Sequence, residues 1–278
     1  MKLERSSFVR IIGMSRKLKF IQVNIYKGKY LDALVDFLQK EDPDLVAMQE
    51  VTTEKQNNCE DKSLNLFEFL KEKLGLDGAY DGHLKLAGEP DSTLGNAVLS
   101  RFPILGSKII ALHEFRALTK KEIEHVQSVW RVIPRGLLDL VVNVDGQKVH
   151  AMSWHGAWTA PPTDTPETMR QAKMAADYLQ SINEPFILGA DLNNVPTSKT
   201  VEIVNKVATN LMLGSNIKQT THPKVHKIVP RGFLVDYIFI SPRFKLESLS
   251  VPDVLVSDHL PVVVTLSLES SYSGDNKG

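Results

Sequence analysis

The feature that most constrains this chain is a strand–helix–strand unit near its start. "KFIQVN", Lys19–Asn24, alternates apolar and polar side chains and predicts a strand. In "KGKYLDALVDFLQKEDP", Leu31, Leu34, Val35 and Leu38 fall on one helical stripe, and Pro43 stops the helix. "DLVAMQE", Asp44–Glu50, predicts a second strand. A crossover of this kind makes the two strands parallel neighbours. Their C-terminal ends then share one sheet edge, where open α/β sheets hold their ligands. The side chains delivered there are Asn24 and Glu50.

The rest of the chain continues the pattern. "SLNLFEFLKEKLGL" predicts an amphipathic helix, and "NAVLSRFPI" a strand. "GLLDLVVNVDG" and "QKVHAMSWH" predict two strands joined at Asp145-Gly146, a hairpin signal. "TPETMRQAKMAADYLQSIN" predicts a helix with Thr165 as N-cap and Pro166 in its first turn. "PFILGADLN" predicts a buried strand, "SKTVEIVNKVATNL" a helix, and "FLVDYIFIS" and "PVVVTLSLE" two more strands. No repeat or low-complexity linker divides the sequence. One domain over residues 17–269 is expected, with a loose extension at 1–16 and a frayed polar tail at 270–278.

Composition narrows the function. Of 278 residues, 33 are Lys or Arg and 33 are Asp or Glu, so the formal net charge is zero. Tight non-specific coating of nucleic acid calls for a basic excess, which is missing here. The single cysteine, Cys59, permits no intramolecular disulfide. No apolar run approaches the ~20 residues that span a bilayer, and the basic start lacks a cleavage pattern. A cytoplasmic protein with no stable membrane insertion is the expectation; the oligomeric state is left open.

Polar residues recur where apolar strands begin or end. Asn24 and Glu50 end strands, Asp191 and Asn193 close "FILGADLN", and His155 follows "AMSW". Asp258 and His259 precede the last strand, with Pro261 marking its start. In an extended backbone, Asp191 and Asn193 share a face. Singly, each has a plainer role as a turn residue, a solvated strand end or a structural histidine. Asp236 is harder to place, because a carboxylate inside "FLVDYIFIS" is costly without a partner. Together, carboxylates, amides and histidines without thiols make a hard donor set that suits Mg²⁺ or Mn²⁺. A carboxylate-bound Mg²⁺ near a histidine is a common arrangement for attacking a phosphate ester. Zinc, Walker and nucleophile-elbow patterns are absent.

Seven stretches, "IQVNIY", "DPDLVAMQEV", "GNAVLSRFPI", "SWHGAW", "ILGADLNNVP", "VDYIFIS" and "SDHLPVVV", resemble in order the endonuclease/exonuclease/phosphatase superfamily with its deoxyribonuclease I-like fold. The resemblance implies a four-layer α/β sandwich of two packed mixed β-sheets flanked by helices. It also implies a Mg²⁺-dependent phosphodiesterase. Carried over, Glu50, Asn24 and Asp258 resemble the metal side. Asp191 resembles the residue that orients or deprotonates water, and Asn193 a contact to phosphoryl oxygens. His259, held by Asp236, would stabilise the transition state, and His155 would lie near the leaving group. Arg135 and Asn96 would contact phosphate. Around His155, Trp154 and Trp158 suggest an aromatic wall near the site, with simple core packing as the alternative.

The chain departs from the family's abasic-site repair branch at Thr52 and Val23, where that branch carries lysine and tryptophan. "WHG" also stands in place of its "THL". The first expectation is a nuclease acting on DNA or RNA. The alternatives are a hydrolase of a small or lipid-linked phosphoester and an inactive binding module. A basic open groove would favour the nuclease, and an apolar-rimmed pocket the small substrate.

Overall fold

The computed structural model describes residues 16–125, 132–226 and 232–269. Apart from Arg16, the expected extension and tail lie outside them. Two mixed sheets pack face to face. In chain order the strands are β1 (Arg16–Asn24), β2 (Leu45–Thr52), β3 (Asp77–Leu86), β4 (Glu89–Ser100), β5 (Ile104–Ala111), β6 (Ala117–Leu118), β7 (Gly136–Val144), β8 (Gln147–His155), β9 (Phe186–Asp191), β10 (Thr209–Asn210), β11 (Asp236–Ile240), β12 (Phe244–Ser250) and β13 (Val262–Leu268). The first sheet runs β12-β13-β1-β2-β4-β3-β6 and the second β10-β11-β9-β8-β7-β5. The helices are α1 (Leu31–Glu41), α2 (Leu66–Leu74), α3 (Lys120–Glu124), α4 (Pro166–Gln180) and α5 (Lys199–Asn205). The expected sandwich of two mixed sheets with helices is the observed one. No helix among the described residues is long and apolar enough to cross a membrane.

Alternation in β1 and β2 explains the layers. Leu18, Phe20, Leu45 and Ala47 join the core shared with the second sheet. Ile21, Val23, Val46 and Met48 pack instead under Leu34, Leu38, Leu66 and Leu70 of α1 and α2. These central strands are apolar on both faces because both faces are covered. β1 and β2 are parallel, with Asn24 opposite Gln49, as the crossover requires.

Glu50 is not the strand end expected of it. β2 continues to Thr52, and its pairing with β4 shifts between Met48 and Val51, where Gln49 and Glu50 oppose the single residue Asn96. Glu50 is the extra residue of this bulge, at φ 55°. Simple alternation would have sent it to the helix-covered side with Met48. The bulge gives that side to Val51 and re-aims Glu50.

Other readings were too long or missed. The helix expected over 198–211 ends at Asn205, and Thr209–Asn210 pair with β11 instead. The ladder supplies backbone partners that a further helical turn would forgo. The exposed edge strand β5 has no apolar alternation to betray it.

Candidate active site

Two strand ends from the second sheet set the site. Asp191 at the end of β9 lies opposite Asp236 on one side and His155 on the other. Registered neighbours share a face, so these three side chains form one row. The row faces Gln22 and Asn24 of β1, across the gap between sheets. Asn24 Nδ2 donates to Asp191 Oδ2 at 3.0 Å, while Asn24 Oδ1 accepts from the Tyr26 backbone at 3.0 Å. The amide is thus held at both ends.

The loop before β13 supplies the remaining tools. His259 Nδ1 lies 2.9 Å from Asp236 Oδ2, and its Nε2 lies 3.7 Å from Asp191 Oδ2. His155 Nε2 reaches the same oxygen at 3.5 Å. Asp236 is fully buried, so its costly carboxylate has the partner it needed. The last strand starts at Val262, which leaves Asp258 and His259 in the loop, free of strand alternation. A bridge from His259 to Thr221 pins that loop.

Asp191 and Asn193 meet by a different route from the extended one expected. The strand ends at Asp191, and Asn193 sits in a left-handed turn at φ 51°. Its backbone N donates to Asp191 Oδ1 at 3.0 Å, an Asx-type turn. The turn fixes the catalytic candidate and still leaves both side chains facing one cavity.

That cavity, of about 420 Å³, gathers Asn24, Glu50, Arg135, His155, Trp158, Asp191, Asn193, Asp258 and His259. Asp236 stands behind it. Two expected residues are elsewhere. Trp154 is a core side chain, 1% exposed, because alternation along β8 points it away from His155's face. Asn96 is fully buried and donates to the Gly136 carbonyl at 2.8 Å, tying the sheets together.

Several lining residues gave no sequence signal. Tyr26 and Lys27 lie in the short 3-10 turn after β1. His226, in an irregular segment, packs edge-on against His259 with ring centroids 5.5 Å apart. Gln22 had a weak signal, being an amide at an inward position of a core strand.

Electrostatics divide the titratable groups. Burial pushes Asp191 upward, against the pull of His259. His259 is held well above its ordinary 6.5: burial opposes this, but the charges of Asp236 and Asp191 prevail. Burial and the positive charge of Arg135 press His155 well below 6.5. Burial lowers Arg135 to about 10, which leaves it a cation at neutral pH. Burial, aided by Glu50, raises Asp258 to about 6.

The charge of Glu50 raises the cost of ionising Asp258, a pattern that a divalent cation relieves. Glu50 and Asp258 are hard oxygen donors facing one space, and Asn24 Oδ1 keeps a second lone pair. The set fits a cation. Donor atoms of Asp191, Asp236 and His259 lie within 4.8 Å of one another, as do those of His226, Asp258 and His259.

The sequence model of the endonuclease/exonuclease/phosphatase family matches residues 21–259. The chain belongs to the endonuclease/exonuclease/phosphatase family. Solved structures share its fold. A family member from Bacteroides vulgatus is 18% identical, with a TM-score of 0.70 over 91% of this chain and 100% of its own. The Bacteroides thetaiotaomicron mannosyl-6-phosphatase is 17% identical, TM-score 0.65, over 90% of this chain and 99% of its own. D. rerio TDP2, complexed with single strand DNA product, is 18% identical, TM-score 0.62, over 90% and 98%. No curated protein matches the chain. Endonuclease, exonuclease and phosphatase all name enzymes that cleave phosphoesters. The family is therefore one of phosphoester hydrolases, and the assignment leaves the substrate open.

Proposed function

We propose that the chain hydrolyses a phosphoester bond by attack of water, assisted by Mg²⁺ or Mn²⁺. The observation that carries this is Asp191 Oδ2, which meets Asn24, His155 and His259 within 3.0–3.7 Å. A buried carboxylate whose affinity for protons is raised is suited to take one from water. The water oxygen then bonds to phosphorus, the ester P–O bond breaks, and its electron pair leaves with the departing oxygen. His259, turned by Asp236 and kept cationic, donates to the negative charge that develops on the phosphoryl group. His155, kept neutral, donates a hydrogen bond rather than a proton. Arg135 and Asn193 are placed to hold phosphoryl oxygens. Glu50 and Asp258, with Asn24, would hold the cation, which when bound neutralises phosphate charge.

For the substrate, the charge of the cavity supports a compact ester over a long nucleic-acid strand. Among the described lining residues only Lys27 and Arg135 are Lys or Arg, against three carboxylates. Nucleic acid remains the rival, supported by the fold shared with TDP2.

The test is a panel of nucleic acids, sugar phosphates, lipid phosphoesters and small diesters, each with Mg²⁺ and with Mn²⁺. Turnover that Asp191→Asn and His259→Ala each reduce at least ~10²-fold is expected. No turnover on any member with either metal would remove the enzyme reading. Cleavage of oligonucleotides alone would restore the nuclease.

A further inference from the structure

Among the described residues that line the cavity, half have side chains that the hydrolytic chemistry does not use. Leu84 on β3 faces Leu94 on β4 in register. With Leu118 and Ile133 they form a hydrophobic cluster separate from the two main cores. Leu84, Leu94 and Ile133 are only 7%, 6% and 3% exposed, yet all three line the cavity that Trp158 also lines. The pairing of β2 with β4 ends at Thr52–Leu94, so the β3–β4 hairpin projects past β2 and carries this apolar surface to the site.

A phosphate has no use for such a wall, and a row of phosphates would need cations in its place. The cavity volume of about 420 Å³ falls in the range of small-molecule sites and exceeds what one phosphate fills. The wall is therefore specificity surface.

We infer that the Leu84–Leu94–Ile133–Trp158 wall is a subsite for an apolar, ring-sized group esterified to the single phosphate that the site cleaves. This rests on the hydrolase reading and names its substrate class. The wall supplies affinity through burial of apolar area, and the polar half supplies the chemistry.

Phosphonates test this independently of turnover, because their P–C bond is not hydrolysed. Calorimetry with Mg²⁺ present would compare methylphosphonate with phenylphosphonate. The phenyl compound should bind at least about 10-fold more tightly. Leu94→Thr and Trp158→Ala should each bring that ratio towards 1, with thermal melting used to show that each variant is folded. Trp158 is the less buried position, so its variant serves if Leu94→Thr does not fold.

Equal binding of the two phosphonates would overturn the inference, and so would a phenyl preference that persists in a folded variant. Tighter binding of a short single-stranded oligonucleotide than of phenylphosphonate, insensitive to both substitutions, would also overturn it. The hydrolase reading fails separately, on the substrate panel, and a failure there leaves the phosphonate result readable.

Discussion

The side-chain amide of Gln22 on β1 donates to Asp236 Oδ1 on β11 at 3.1 Å, crossing from one sheet to the other. The same nitrogen donates to Gln49 Oε1 at 2.8 Å, and Gln49 Nε2 donates to Ser153 Oγ at 2.9 Å. A chain of polar contacts thus runs beneath the candidate site. Gly189, two residues before Asp191, makes room for it: a Cβ there would meet Gln22 Cγ at 2.9 Å.

Gln22 is therefore expected to position Asp236, and through it His259. Gln22→Met keeps the shape and removes the donor. We expect kcat to fall about 10–100-fold, with KM within a factor of about two. The melting temperature should fall as well, since Asp236 Oδ1 and Gln49 Oε1 each lose a buried donor. A parental kcat combined with a lower melting temperature would reduce Gln22 to a packing residue.

The two histidines that face Asp191 should titrate on opposite sides of neutrality. His259 is raised, so its contribution to stability is full below the unfolded value near 6.5 and is lost as pH rises through its folded value. His155 is lowered, so the fold resists its protonation, and stability is lost as pH falls from 6.5 toward its folded value. Nitrogen NMR of labelled imidazoles, assigned with His155→Gln, would show this. A common midpoint near 6.5 would contradict it.

The two tryptophans of "SWHGAW" should behave differently. Trp154→Ala opens a hole in the main core and should cost about 3–5 kcal/mol in denaturant unfolding. Trp158→Ala, at a partly exposed cavity wall, should cost less than half of that. Equal losses would mean that the roles are misplaced.

Much of the fold and most of the residues gathered at the candidate site could be read along the chain. Periodicity identified the parallel β1–α1–β2 unit, and the ordered motifs identified the family and its sandwich. Asn24, Glu50, Asp191, Asn193, Asp236, Asp258 and His259 all carry signals of local chemistry: a polar group where an apolar strand stops, starts or is interrupted. His155 came with the motif "SWHGAW", and Arg135 only with the family resemblance, outside the seven stretches.

What the sequence by itself determined was the alternation that buries both faces of β1 and β2, together with the set of acids, amides and histidines. Only the tertiary structure decided how those groups meet. The bulge that turns Glu50, the Asx turn that joins Asn193 to Asp191, and the facing of Gln22 to Asp236 depend on register and on the opposing sheet. Leu84, Leu94 and Ile133 read as ordinary core side chains, and His226 carries no pattern at all. An apolar residue looks the same in sequence whether the space beside it holds protein or a ligand. That difference is set by where the β3–β4 hairpin ends in three dimensions.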